Sequence, residues 1–75
     1  MPRLPRITAA DLLRALRRDG WEVVRQRGSH VHLQHPTKPG AVTLPWHASA
    51  TVKPKTLLSV LEQAELTVDE FRGLL

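Results

Sequence analysis

Cysteine is absent from the 75 residues. Disulfide staples, Cys-type zinc sites, iron–sulfur clusters and thiol nucleophiles are thereby excluded. Aromatic residues are almost as scarce: Trp21, Trp46 and Phe71 are all there are. No apolar run approaches the ~18 residues of a membrane span, and the amino end lacks the apolar stretch of a signal peptide. The expectation is a cytoplasmic protein with no membrane association. Acidic residues are few where basic ones are many. Residues 1–60 hold ten Lys and Arg against Asp11, Asp19 and Glu22, a balance of +7; residues 61–75 hold four acids and Arg72, a balance of −3. The net charge is +4. A basic body of this kind points to a polyanionic partner, nucleic acid first. Hydrophobic residues at 41% and charged residues at 24% suit a folded globule, and 75 residues suit one small domain, 1–75.

The punctuation of the chain predicts six elements. Met1–Arg6 is Pro-rich, basic and extended. Thr8 is an N-cap with Asp11 three residues on, and Ile7 and Leu12 form a hydrophobic staple. Leu12, Leu13, Ala15 and Leu16 draw one apolar stripe, and Gly20 is a C′ stop, which predicts a helix over Ala9–Asp19. Trp21–Arg27 alternates, with Trp21, Val23, Arg25 and Arg27 on one face. Gly28-Ser29 is a turn. His30–His35 alternates again, with Val31, Leu33 and His35 opposed to His30, His32 and Gln34. A loop over Pro36–Gly40 leads to a third short strand, Ala41–Leu44, closed by Pro45. Pro54 opens a second helix whose apolar face is Leu57, Leu58, Val60, Leu61 and Ala64. Thr67–Glu70 is a full capping box, stapled by Leu66 and Phe71, ahead of a last short helix. The order α-β-β-β-α-α implies an α+β domain: a three-stranded antiparallel sheet with both long helices on one face. The other face stays wet.

Histidine is the one abundant catalytic residue type, at positions 30, 32, 35 and 47. Free imidazole titrates near ~6.5, so it gives and takes protons close to neutrality. RNA can be cut by its own 2′-hydroxyl when a base, an acid and phosphate-binding cations are supplied. His30, directly after Arg25, Arg27 and the Gly28-Ser29 turn, is placed for that role. A metal could use His30, His32 and His47, but no carboxylate accompanies them and the surroundings are cationic, which disfavours it. His35, on the apolar-facing side before Pro36, reads as structural. Lys53 and Lys55 at a helix start oppose the helix dipole and are better explained by a phosphate. Trp46 could stack on a base, though closing the core suits it better. A solvated strand histidine and solvated lysines are the bland alternatives.

In this order the motifs resemble the HicA-type, or YcfA-like, toxins of HicA–HicB toxin–antitoxin systems. The resemblance is carried by Leu12 to Gly20-Trp21, Arg27-Gly28-Ser29-His30 and His35-Pro36. It continues through Val42-Thr43-Leu44-Pro45, His47 and Thr56-Leu57, and covers nearly the whole chain. It implies a double-stranded-RNA-binding-domain-like fold and a metal-independent ribonuclease, needing no cofactor, that cleaves mRNA and stops translation. It assigns the catalytic role to the histidine of Gly-Ser-His, here His30, with His47 as a second candidate. Arg25, Arg27, Gly28, Ser29, His47, Lys53 and Lys55 then line the RNA. It also implies a more acidic HicB-like antitoxin, with the free toxin a monomer and the pair a hetero-oligomer. Many members carry Gly before the Thr-Leu of the second helix, where this chain has Lys55. The alternative is an RNA-binding module of the same fold without chemistry.

Overall fold

The structure is a computed structural model and describes residues 3–75. Met1 and Pro2 of the expected extended opening lie outside the described residues; Arg3–Ile7 carries no helix or strand. The elements run α1 (Ala9–Asp19), β1 (Glu22–Arg27), β2 (His30–Gln34), β3 (Val42–Pro45), α2 (Pro54–Gln63) and α3 (Val68–Gly73). The strands form one antiparallel sheet in the order β1-β2-β3, as the meander pattern implies.

Both capping signals work as their chemistry demands. Thr8 Oγ1 accepts the Asp11 N–H at 3.2 Å, and Gly20 at φ +109° ends α1 in the left-handed region that favours glycine. The Thr67 hydroxyl accepts the Glu70 N–H at 3.1 Å, while the Glu70 carboxylate accepts the Thr67 N–H at 2.9 Å. That bond holds the Glu70 carboxyl below its ordinary value of 4.5, with the Thr67 hydroxyl adding to the effect.

The core lies between the helices and one face of the sheet. Leu12 and Leu16 from α1, Leu57, Val60 and Leu61 from α2, and Phe71 from α3 bury against Val31, Leu33, Val42 and Leu44, with Trp21 fully enclosed. Burial alternates along β2 and β3, the mark of a sheet with one dry and one wet face. Trp46 is half-buried and packs against this core, as its apolar reading suggested. The outer edge of β3 is closed by α2: Gln63 Oε1 accepts the Thr43 N–H at 2.9 Å.

His35 belongs to the fold. Its Nδ1 accepts backbone N–H groups from Thr37 at 3.1 Å and Lys38 at 3.0 Å, which leaves Nε2 to donate to the Asp19 carbonyl at 2.6 Å. Its ring meets Trp21 edge-on, centroids 5.2 Å apart. A β-carbon at Gly20 would stand 2.7 Å from Nε2, so only glycine lets the helix end and this histidine meet. Lys38 completes the joint by donating to Asp19 Oδ2 at 2.7 Å and to the Ala64 carbonyl at 3.0 Å, tying the ends of α1 and α2 together.

Candidate functional site

The open face of the sheet is built around β2. His30 is exposed and His32 half-buried, both pointing away from the core residues Val31 and Leu33. In the antiparallel register Arg27 stands opposite His30, and Arg25 opposite His32. Directly opposed residues share a face, so two exposed guanidinium groups flank the two histidines. Simple alternation along β1 placed Val23 on the face of Arg25 and Arg27; the structure corrects this. The register shifts between Val23 and Arg25, so Val23 pairs with Leu33 on the core side and Arg25 with His32 on the open side. Val24 is the extra residue, 56% exposed. A bulge re-aims the side chains that follow it, and here it delivers both arginines to the histidine face.

The turn that presents His30 has Gly28 at φ +54° and no positive φ at Ser29, the pattern of a type II′ hairpin with glycine first. The Ser29 carbonyl accepts the Trp46 N–H, so β3 is fastened to the turn just beyond Pro45, which faces His30. On the next row the Thr43 hydroxyl is 3.4 Å from His32 Nδ1.

Beyond Pro45 the connector to α2 forms one wall of a cleft of about 310 Å³, which His47, Lys53 and Thr56 share with Ala9 and Pro45. The connector is pinned to the start of α1, whose first N–H groups need acceptors. Ala9 and Ala10 donate to the carbonyls of Ala50 and Ala48, each at 3.1 Å, and Val52 donates back to Ile7 at 2.8 Å. His47 therefore sits on a loop held at both margins. At the start of α2 no side chain caps the helix, and Pro54 stands in its first turn. Lys53, the residue just before the helix, lines the cleft, and the first-turn N–H groups of a helix have no intrahelical partner.

The sequence-predicted residues thus fall into two adjoining groups joined through Pro45. His30, Arg25 and Arg27 gather on the sheet around the Gly28-Ser29 turn, and His47 and Lys53 meet in the cleft. Lys55 is exposed at the helix start and is not part of the cleft wall. Sequence reasoning missed Thr43 beside His32 and Thr56 in the cleft. The alternation of Thr43 with Val42 and Leu44 was the available signal for the first. Among the described residues, no three His, Asp or Glu side chains converge as a ligand set.

A basic α+β domain with histidines and arginines on an uncovered sheet face is the class that fold and site define. Residues 9–66 match the family model described as the HicA toxin of bacterial toxin–antitoxin systems. The chain belongs to that family. It is the toxin of a toxin–antitoxin pair, and an antitoxin is its partner. A comparison with curated proteins finds no match. Among the described residues, no helix is long and apolar enough to cross a membrane.

Proposed function

We propose that this toxin is an endoribonuclease that cuts mRNA without a metal, with His30 as the proton-transfer residue. The observation that carries the reading is the exposed His30 on the open sheet face with Arg27 opposite it and Arg25 on the adjacent row. The reaction this set suits is in-line attack by the RNA's own 2′-hydroxyl. A base takes the hydroxyl proton and the freed oxygen bonds to the neighbouring phosphorus. The bond to the 5′-oxygen breaks, and that oxygen gains a proton. The products are a 2′,3′-cyclic phosphate and a 5′-hydroxyl. His30 serves as base or acid, and the two arginines stabilise charge building on the phosphate. Lys53, Lys55 and the uncapped start of α2 hold a neighbouring phosphate, with His47 beside it. Gly28 and Ser29 let the strand backbone approach closely.

The test is cleavage of a labelled RNA by the purified chain in excess EDTA, with analysis of the new ends. Cyclic-phosphate ends, and no cut at a position bearing a 2′-deoxy sugar, are the expected result. Ends with a 3′-hydroxyl, or activity that EDTA abolishes, would refute the mechanism. Salt-sensitive RNA binding with no products would instead make the chain a binding module.

A further inference from the structure

The cleft beside His47 does not end at Lys53. A second cleft of about 260 Å³ shares Thr51, Val52 and Lys53 with it and continues over Pro54 to Leu4, Pro5 and Arg6. A third, of about 620 Å³, shares Leu4, Pro5 and Arg6 with the second and opens between Arg3 and Arg72, with Leu75 at its far side. The three clefts adjoin through these shared lining residues and make one run of grooved surface. Its side-chain charges are Lys53, Arg6, Arg3 and Arg72, with His47 at the near end; no Asp or Glu lines any of the three. In a chain with seven acidic residues, a groove this long without one is a concentrated positive surface. The amino-terminal arm that forms its outer half is fixed in place. Arg72 donates to the Arg3 carbonyl at 3.2 Å, and Val52 donates to the Ile7 carbonyl at 2.8 Å. These bonds use the arm's backbone, leaving the exposed Arg3 and Arg6 with no hydrogen-bonded or ion-paired side-chain partner among the described residues.

We infer that this groove is the path of the RNA strand on one side of the cut. The strand leaves the sheet face past Pro45 and His47, crosses the start of α2 at Lys53, and is held at its backbone by Arg6 and Arg3. The inference rests on the RNA-cleaving reading and adds to it a binding region outside the catalytic group. Single-stranded RNA fits, because a positively charged groove that tracks the backbone is how proteins hold single strands. Arg3 and Arg6 are positioning residues. They act on substrates long enough to reach them and leave the chemistry at His30 untouched.

The experiment measures binding and cleavage separately. Binding is read by fluorescence anisotropy with full-length His30→Ala protein, which keeps the RNA intact, using an RNA of about twelve nucleotides and a trinucleotide. Adding Arg3→Ala and Arg6→Ala removes two phosphate contacts. At about 0.7 per contact the salt slope falls by ~1.4, which is roughly 25-fold in affinity at 0.1 M salt relative to 1 M. The longer RNA should show that loss and the trinucleotide should not. Arg3→Lys with Arg6→Lys should restore most of the affinity, which a purely structural arm would not predict. Arg14→Ala with Arg17→Ala, which removes the same charge from α1, should change little. Unchanged binding of the longer RNA by the double-alanine protein would overturn the inference. So would equal loss for both RNAs, or a loss seen only with the antitoxin. Cleavage by protein with His30 intact is scored independently. If no RNA is cut yet the longer RNA binds through Arg3 and Arg6, the nuclease reading fails and the groove stands.

Discussion

Replacing Gly20 with Ala brings two separable penalties. The first is conformational: φ at this position is +109°, and a non-glycine residue held in left-handed backbone costs about 1–2 kcal/mol. The second is steric. The new β-carbon would lie 2.7 Å from His35 Nε2, where real contacts are not found, and the ring is fixed by its own bonds. Moving it endangers the donation to the Asp19 carbonyl and the two N–H bonds received at Nδ1. At a net ~1 kcal/mol each, these contribute about 2–3 kcal/mol. The sum is about 3–5 kcal/mol, against a total stability of about 4–11 kcal/mol at ~0.05–0.15 kcal/mol per residue. The assay is urea unfolding followed by the fluorescence of Trp21 and Trp46, in wild-type and His35→Ala backgrounds. With His35 already removed, Gly20→Ala should cost only the conformational part, about 1–2 kcal/mol. An equal cost in both backgrounds, or a cost below ~1 kcal/mol in the wild type, would show that the glycine–histidine contact does not matter.

The β1 bulge and the Glu70 cap carry further expected outcomes. Deleting Val24 should be tolerated. It removes the unpaired residue and leaves Val23 opposite Leu33 and Arg25 opposite His32, so the midpoint of unfolding should move little and RNA cleavage should persist. Deleting Gln26 instead also removes the surplus residue but puts Val24 opposite His32 and turns Arg25 to the core side opposite Val31, so RNA cleavage should fall. Glu70→Ala should lower the melting temperature at neutral pH. Because the folded carboxyl sits below its ordinary value, its stabilisation is present above that value and is lost as pH falls through the folded one. The gap between wild type and variant should therefore close in acid, and a gap independent of pH would contradict the capping role.

Much of the fold was legible because the signals are local. Thr8, Gly20 and the Thr67–Glu70 box fix helix ends through bonds spanning three or four residues, and α1 runs over the residues they delimit. Alternation along His30–His35 correctly separated Val31 and Leu33 from His30 and His32. The face of Arg25 and Arg27 was not legible with Val23 included. A bulge depends on how β1 meets β2, and neither Val23-Val24 nor any glycine announces it. The end of β3 lies one residue further on for a separate reason: Pro45 is in register opposite His30, and the Trp46 N–H reaches the Ser29 carbonyl. The structural reading of His35 came from its side of the strand, but its partners Asp19 and Gly20 lie far back in the chain. The pinning of residues 46–53 to α1 is wholly backbone-to-backbone, so Ala48 and Ala50 leave no trace of it in the sequence.

The sharpest measurement is the single-turnover rate of RNA cutting by wild-type and His30→Ala protein, with melting curves recorded on the same samples. General acid–base catalysis by one side chain is worth about 10²–10⁴-fold, so a variant that melts like the parent should be slower by that factor. Equal rates from the two folded proteins would mean that the exposed imidazole opposite Arg27 takes no part in the chemistry.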